Sequence, residues 1–540
     1  MSRSLRRVLI LAVGWITVLA TGPATIDVQA KQNPLGDINH IVVIYEENHS
    51  FDNLYGGWEG VNGRAGVDPA LFTQLTQGGA AYACLPQNDV NLPACISPNA
   101  PFGIETYIPA TARTCPQPGA FFPHGTTPSP SNLPGGCTED IVHRFYQEQY
   151  QLNNGAQNLY TTGSDAIGMT QGFYNTKALP IYVFLHKDGA PHYAIADNLF
   201  QGAFGGSFLN HQYLIAAAAP TFSGAPASQH SVIDSNGMPT KYPRYTPTGP
   251  VLDKPLTQAC PSTVANRACG DFAVNTIQPP FQPTSSNPLK LPPQTGNNIG
   301  DELTSAGVSW AWYSGGWSNA DGDAGAPGWT NGTVPGTCTD PKSFPNPVYP
   351  FCPNKVFQFH HQPFNYFANY APGTPSRSHL QDEQAFINLA NASGDECKLN
   401  SVSFVKPVGL ENEHPGYTSE SAGSNHLVDL ISAIQSSACR KDTMIVVTYD
   451  EFGGQWDHVA PPGQGGTAGA HDLFGPGTRV PALIVSPHLK GDFVVDHTQY
   501  DTTSILATIE KRFGLAAVGS RDAAVNDLSG VFAAHSPFDD

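Results

Sequence analysis

The stretch that decides the fold is IVVIYEENHSFDNLYG, residues 41–56, and a related stretch, TMIVVTYDEFGGQWDHV, occupies residues 443–459. Each begins with an apolar run typical of a buried strand and continues with acidic and amide side chains and glycine. Open α/β sheets bind their ligands at the carboxyl ends of the strands. The two stretches therefore predict a site where these two strands end, with the two ends of the chain meeting in space.

Four side chains directly after the two apolar runs are candidate metal ligands: Glu47, Asn48, Asp450 and Glu451. Carboxylate and amide oxygens are hard ligands that suit a divalent cation. Two adjacent carboxylates at a strand end also repel each other unless a cation or a proton neutralises them. Two alternatives stand beside this interpretation. Asn48 could cap a turn beside a solvated Glu47, and the second pair could belong to a salt-bridged loop.

A candidate nucleophile lies in AFGGSFLNHQYLIAA, residues 203–217. The glycines before Ser207 remove side-chain bulk, and the following residues have a helical apolar pattern. A serine at such a turn can sit at a helix N-terminus, where backbone N–H groups and the helix dipole favour a phosphate. A neighbouring metal would lower the pKa of the hydroxyl and activate it. The alternative is that Ser207 only caps the helix.

Histidines form the third group of candidates: His143 in DIVHRFYQEQ, His360 and His361 in FQFHHQPFNYF, and His414 in NEHPGYTS. We expect charged imidazoles to pair with phosphate oxygens and one of them to protonate a leaving alkoxide, which would favour acidic pH. For each ring the alternative is a surface position or a structural hydrogen bond.

The wider pattern predicts an α/β fold. Apolar segments separated by helical patterns indicate strands at 41–45, 308–313, 402–405, 444–449 and 482–486. This alternation is typical of a sheet covered by helices on both faces. We predict a single catalytic domain over residues 37–520, with irregular insertions near 84–137 and 218–298 and a C-terminal tail at 521–540.

The N-terminus predicts export. Residues 1–30 combine a basic start, an apolar run over 8–20 and a small-residue cleavage signal at 28–30, as in a signal peptide. An uncleaved anchor is the alternative, although the run is short for a membrane span and no longer apolar run follows. We therefore expect a secreted or periplasmic protein without stable membrane insertion.

Charge and cysteine content support that class. Removing residues 1–30 takes away three arginines and one aspartate, so the formal charge changes from −18 to −20. Such an acidic chain lacks the basic face that nucleic acid binding requires. The 10 cysteines are an even number, which fits disulfide bonds in an exported protein. The pairs favoured by spacing are Cys260 with Cys269 and Cys338 with Cys352.

Eight segments together resemble a known family, the bacterial phosphoesterases that include phosphatidylcholine-type phospholipases C and respiratory-burst-inhibiting acid phosphatases, within the alkaline phosphatase superfamily. They occur in order from about residue 37 to about residue 515 and are IVVIYEENHSFDNLYG, HRFYQEQ, YAIADNLFQGAFGGSFLNHQYLIAAAAP, GDELTSAGVSWAWYSGGW, FQFHHQPFNYFANYAPG, KPVGLENEHPGY, YDEFGGQWDHVAPP and HTQYDTTSILATIEKRFGL.

The resemblance implies an alkaline phosphatase-like fold, with a mixed, mostly parallel sheet between helices and long loop insertions. It implies hydrolysis through a phosphoserine at Ser207 and one divalent metal ion, with Mg²⁺ or Ca²⁺ favoured and Mn²⁺ or zinc also compatible. The implied metal ligands are Glu47, Asn48, Asp450, Glu451 and the Ser207 hydroxyl. The implied phosphate pocket consists of Asn210, His211, His360, His361, His414 and His143, the last preferred to His124 because HRFYQEQ resembles a family motif.

The nucleophile loop decides the expected branch. The phospholipase C branch typically has a threonine in a segment resembling GPTxPNR, whereas GGSFLNH is similar to the acid phosphatase branch. His211 stands where the other branch has arginine, so we expect hydrolysis of small phosphomonoesters. The alternative is a phospholipase C-type phosphodiesterase, and a remote one is an exported, non-catalytic binding protein. A sulfatase or phosphotransferase is disfavoured because the C/S-x-P-x-R type signature is missing. No protein partner is predicted.

Overall fold

The centre of the structure is a mixed sheet of eight strands. The computed structural model describes residues 34–85, 98–106, 140–164, 166–226, 232–233, 268–269, 272–333 and 335–538. Along the chain, the strands of this sheet are β1 (His40–Glu46), β2 (Tyr193–Ala196), β3 (Trp310–Ser314), β4 (Leu380–Asp382), β5 (Val402–Lys406), β6 (Thr443–Tyr449), β7 (Ala482–Val485) and β8 (Phe493–Asp496). Two-residue strands also pair outside it: Phe102–Gly103 with Gly172–Phe173, Leu199–Phe200 with Tyr500–Asp501, and Val232–Ile233 with Ala268–Cys269.

The sheet order is β8-β2-β7-β6-β1-β5-β3-β4, and in it β7 alone runs against the other strands. The central strand β1 pairs in parallel with β5 on one side and with β6 on the other. Its register places Glu46 beside Tyr449. The residues that follow β1 and β6 therefore leave the sheet next to each other at one edge, as the two stretches predicted.

Helices cover both faces of the sheet. They are α1 (Phe51–Leu54), α2 (Pro69–Phe72), α3 (Phe145–Leu152), α4 (Pro180–Leu185), α5 (Ser207–Ala216), α6 (Ile299–Ser305), α7 (Trp317–Asp321), α8 (Glu383–Asn391), α9 (Glu420–Gln435) and α10 (Thr503–Phe513). Tyr45 contacts α5 through the ring of His211, whereas the next residue, Glu46, faces Glu413 beside α9. Successive strand residues point to opposite faces, so α5 and α9 lie on opposite sides. The predicted α/β fold class is confirmed.

All five predicted strands are present, with ends that differ by a few residues. The strands β2, β4 and β8 were not predicted, because runs of three or four residues are too short to show a period. The division into one catalytic domain, 37–520, stays a prediction. Most of the insertion near 84–137 and much of that near 218–298 lie outside the described residues, as do the signal peptide at 1–30 and His124.

The C-terminal segment packs onto the body of the protein, with Leu528 and Val531 fully buried. Cys338 and Cys352 form the predicted disulfide, and Cys397 pairs with Cys439, which spacing did not predict. The other predicted pair, Cys260 with Cys269, lies outside the described side chains. Within the described residues, no helix combines the length and apolar character needed to span a bilayer.

An ion pair joins two helices on one face of the sheet. His426 Nε2 in α9 lies 3.0 Å from Glu383 Oε1 at the start of α8. Burial alone would lower the pKa of His426, but the hydrogen bond to Glu383 and the charges of Glu383 and Glu411 raise it to about 9. Because the folded-state pKa exceeds the ordinary value of 6.5, this pair stabilises the protein fully below about pH 6.5 and is lost as the pH rises through 9.

We predict that His426→Gln lowers the free energy of unfolding at pH 6 and that the difference from the wild type shrinks at pH 10. Urea unfolding at both values measures this. His192→Gln is the control, since it removes an exposed pair with Asp492 and should change little at either pH. A difference for His426→Gln that stays constant with pH would contradict the assignment.

Candidate active site

The four candidate metal ligands meet at the carboxyl edge of the sheet. Glu47 and Asn48 follow β1, Asp450 and Glu451 follow β6, and all four are fully buried. The turn after β6 passes close to the turn after β1: a Cβ on Gly453 would lie 2.2 Å from the carbonyl oxygen of Asn48. The φ of Gly453 is also +61°. Only glycine allows this approach, so it helps to fix the distance between the two ligand pairs.

Ser207 lies beside the same cluster of ligands but comes from a different part of the chain. It is the first residue of α5, and its hydroxyl lies near the Asp450 carboxyl, whose pKa it helps to lower. The preceding turn presses against α3, since a Cβ on Gly205 would lie 2.4 Å from the Phe145 nitrogen. The N-cap of α5 is Gly206, and no side chain caps the helix. The alternative in which Ser207 serves as the cap is therefore wrong.

Hydrogen bonds leave several oxygens of the cluster available for a cation. His414 Nδ1–H donates to the Pro415 carbonyl at 2.7 Å, so in the neutral ring Nε2 accepts from Asn48 Nδ2 at 3.0 Å. This orients Asn48 Oδ1 away from His414, and among the described residues that oxygen has no hydrogen-bond partner. Glu451 Oε2 accepts from the Gly453 nitrogen at 2.6 Å, whereas Oε1 accepts no hydrogen bond among the described residues and has only His143 Nε2 at 3.4 Å. Asn48 does not cap the next helix either, because Ser50 does.

The shifted pKa values of the carboxyl groups show how much negative charge the cluster concentrates. Burial raises the pKa of Asp450 and Glu451 well above their ordinary values, and Glu47 and Asp450, respectively, raise them further. Burial would also raise the pKa of Glu47, but His361 and Lys406 hold it well below its ordinary value. A divalent cation would stabilise the ionised forms of Asp450 and Glu451. The oxygen donors present thus fit such an ion.

A second arrangement of ligands includes nitrogen atoms. Glu47, His211 and His361 each place one donor atom within 4.8 Å of the others. However, the Lys406 ammonium lies 2.6 Å from Glu47 Oε1, and the two imidazole rings are parallel, with centroids 4.8 Å apart. A cation here would face the charge of Lys406, and stacked rings do not direct their lone pairs at one point. Among the described residues, Lys406 forms its ion pair with Glu47 and not with Asp450 or Glu451, so we favour the oxygen cluster as the cation site.

A cavity of about 210 Å³ opens above Ser207. The predicted histidines that line it are His143, His360, His361 and His414. His143 Nε2 lies 3.4 Å from Glu451 Oε1, and His361 Nε2 lies 2.7 Å from Glu47 Oε1. The histidines therefore connect the cavity to the carboxylates beneath it. This arrangement suits an anion whose oxygens reach both the rings and the nucleophile.

The prediction that these histidines are charged near neutral pH is wrong for three of them. Burial lowers the pKa of His360 and His361, and it brings the pKa of His414 to about 3. Desolvation in the packed site outweighs the nearby carboxylates. A neutral imidazole still offers one N–H donor and one acceptor, so the rings can contact a phosphate by hydrogen bonds rather than by ion pairs.

Two residues expected to bind substrate lie below the cavity. Asn210 Oδ1 accepts from the Ala203 nitrogen at 2.9 Å, and its Nδ2 donates to the carbonyls of Gly205 and Gly206. Its amide thus holds the nucleophile loop together and is not free for a phosphate oxygen. His211 is fully buried, donates from Nδ1 to the Ser207 carbonyl at 2.8 Å and stacks on His361. Both side chains support the loop and its neighbours from within.

Three further residues of the site were missed. Lys406 ends β5, is fully buried and contacts Glu47. Asp140 and Tyr417 line the cavity; Asp140 Oδ1 lies 3.6 Å from His143 Nδ1, and the Tyr417 ring packs 4.1 Å from that of His414. For two of these residues, the position in the sequence could have indicated a role in the site. Lys406 comes at the end of an apolar strand, and Tyr417 belongs to the segment KPVGLENEHPGY.

A buried ion-pair network fastens the two ligand turns to each other. Arg479 contacts Asp457 through Nε at 3.1 Å and Asp52 through Nη2 at 3.3 Å. The Asp52 nitrogen donates to Asp457 Oδ2 at 3.0 Å, and His458 Nδ1 lies 2.6 Å from Asp52 Oδ2. Arg479 pairs with both carboxylates and ties them to each other, so we assign this second acidic group a structural role.

A serine at a helix N-terminus, set beside buried carboxylates and beneath a cavity lined by histidines, is the arrangement of a hydrolase that acts on phosphoric esters. The sequence model of the Phosphoesterase family matches residues 38–516. The chain belongs to this family, and it is a hydrolase acting on phosphoric ester bonds. The resemblance found in the sequence is confirmed.

The chain is also similar to individual named proteins. Phospholipase C B of Mycobacterium tuberculosis H37Rv is 25% identical over 528 residues, covering 92% of this chain and 78% of the relative. Non-hemolytic phospholipase C of Burkholderia pseudomallei is 23% identical, covering 89% of this chain and 56% of the relative. Among solved structures, a putative sulfatase of Bacteroides thetaiotaomicron aligns with a TM-score of 0.30 and 13% identity, over 68% of this chain and 72% of that one.

We predict that Arg479→Met destabilises the protein by about 3–5 kcal/mol, because it leaves Asp52 and Asp457 buried without their cation. Urea unfolding measures the change. The matched control is Lys177→Met, which breaks an exposed pair with Glu59 and should cost less than about 1 kcal/mol. Equal losses for the two variants would show that the network does not hold the turns together.

Proposed function

We propose that the protein is a phospholipase C-type phosphodiesterase that cleaves phospholipids or similar diesters through a phosphoserine at Ser207. The position of Ser207, which begins α5 and lines the same cavity as the histidines, is the observation that carries this proposal. The similarity to phospholipases C over about nine-tenths of the chain supports the diester preference.

In the proposed reaction, Ser207 Oγ attacks phosphorus and gives its proton to a neutral cavity histidine. The bond from phosphorus to the leaving oxygen breaks, and the histidine passes that proton to the leaving alkoxide. Water then attacks the phosphoserine, releases the phosphorylated headgroup and returns the proton to Ser207. His143, His360, His361 and His414 orient the phosphate oxygens by hydrogen bonds. Lys406 and the helix N-terminus of α5 favour the negative charge that develops near Ser207.

The residues that would hold one divalent cation are Asn48, Asp450 and Glu451, with Glu47 and the Ser207 hydroxyl completing the set. All of these donors are oxygens, which favours Mg²⁺ or Ca²⁺, with Mn²⁺ or zinc also compatible. When bound, the cation would supply positive charge that lowers the pKa of the Ser207 hydroxyl.

Phosphomonoester hydrolysis is the second candidate. It rests on the loop GGSFLNH, in which a serine replaces the threonine of GPTxPNR and His211 stands at the position of its arginine. The buried position of His211 weakens this argument, since its ring does not line the cavity. We also propose that the protein is secreted or periplasmic, which the Cys338–Cys352 and Cys397–Cys439 disulfides support.

We predict that Ser207→Ala lowers the turnover rate about a thousandfold or more, because no other group at this position can form the covalent intermediate. Steady-state rates with a chromogenic phosphoester measure it. Ser486→Ala is the control: Ser486 is equally buried but follows the antiparallel strand β7, so it lies at the opposite edge of the sheet. Substantial activity in Ser207→Ala would exclude the phosphoserine.

We predict that the enzyme hydrolyses phosphatidylcholine and a chromogenic phosphorylcholine ester faster than a chromogenic phosphomonoester. We also predict that a chelator removes both activities and that added Mg²⁺ or Ca²⁺ restores them. Rates on the three substrates, with and without chelator, provide the measurement. Faster monoester hydrolysis would favour the phosphatase alternative, and full activity after exhaustive chelation would exclude the cation site.

A further inference from the structure

Glu148 is a buried carboxylate outside the group of residues discussed so far. It lies in α3, whose residues are all buried although the helix reads FYQEQYQL. Its Oε1 accepts from the Thr478 nitrogen at 2.7 Å and from Thr478 Oγ1 at 2.8 Å. Its Oε2 accepts from the Gly205 nitrogen at 2.5 Å and from Gln201 Nε2 at 2.9 Å. Both oxygens are thus saturated by donors, and one donor belongs to the nucleophile loop.

Gln201 extends this group to the metal-ligand turn. Its Oε1 accepts from the Phe452 nitrogen at 2.9 Å, directly after Glu451. Its Nε2 lies within hydrogen-bond distance of Glu148, of the Ala203 carbonyl at 2.7 Å and of the Gly205 carbonyl at 3.1 Å. Glu148 and Gln201 therefore hold backbone atoms of two turns, and the bond from Phe452 to Gln201 spans 251 residues of the chain.

The cost of burying Glu148 argues for a specific role. The four hydrogen bonds that fix it come from neutral groups, and a buried anion without a paired cation is unfavourable. Burial raises the pKa of Glu148 to about 7 in spite of those bonds. A neutral side chain would suit a purely structural position better, whereas four donors around two oxygens require a group that only accepts.

We propose that Glu148, acting through Gln201, is a positioning residue that sets the distance between the Ser207 turn and the Asp450–Glu451 turn. This rests on the proposed function in one respect, namely that these two turns carry the nucleophile and the metal ligands. Ser207 is two residues after Gly205, and Glu451 directly precedes Phe452, so a shift at either backbone bond moves a reacting group. Misplacement of about 1 Å can cost about a hundredfold in rate.

Glu148→Gln tests the proposal, because the new amide would turn its NH₂ group toward two donors whichever way it is placed. We expect kcat to fall about 10- to 100-fold with little change in KM, as for residues that orient ligands. We also expect faster amide hydrogen exchange in peptides covering residues 201–207 and 450–454. Gln151→Ala is the matched control, since Gln151 is fully buried in the same helix but bonds to the Gly163 carbonyl.

A kcat within threefold of the Gln151→Ala value, or unchanged exchange in both peptides, would overturn the proposal. If Glu148→Gln fails to fold, Gln201→Met serves instead, because it keeps Glu148 and removes the link to Phe452. It should raise exchange at 450–454. The exchange readout also separates the two hypotheses. A wild type without phosphoesterase activity would refute the proposed function, while the exchange data would still decide whether Glu148 and Gln201 fix the two turns.

Discussion

The parallel pairing of β1 with β6 is the constraint on which the rest of the structure depends. It places two pairs of polar residues, Glu47 with Asn48 and Asp450 with Glu451, at one sheet edge inside the protein. Negative charge concentrated without water must be neutralised or protonated. Lys406 and His361 contact Glu47, whereas Asn48 Oδ1 and the Asp450 oxygens have no hydrogen-bond partner among the described residues. The surrounding loops are arranged to satisfy this requirement.

Much of the fold and the position of the candidate site could be predicted from the sequence, because the decisive strands are long and apolar. In an α/β sheet their ends locate the ligands, and a serine after two glycines was recognisable as a helix start. Each of these inferences depends on residues close together in the sequence. The short strands β2, β4 and β8 carry no such local signal, since each pairs with a strand from a distant part of the chain.

The features of the site that the sequence did not predict depend on contacts between distant segments of the chain. A lysine at the end of a strand is usually solvated, but Lys406 is buried because it pairs with Glu47 and donates to the Tyr45 carbonyl. The family resemblance implied that Asn210, one helical turn after Ser207, holds a phosphate oxygen, but its amide turns back onto its own loop. Helix α3 reads as a polar surface helix, yet Glu148 is buried because Gly205, Gln201 and Thr478 supply donors from elsewhere. No pattern within one segment contains that information.

The network around Arg479 has a consequence for when the site forms during folding. The Asp52 and Asp457 groups that it joins are 405 residues apart, and most of the protein must be present before they can meet. Loop closure over such a span is entropically costly, so this part of the site forms late in folding. If the chain is exported unfolded, in line with the localisation proposed above, this network can form only after export, and the enzyme would act on phosphoesters only outside the compartment in which it was made.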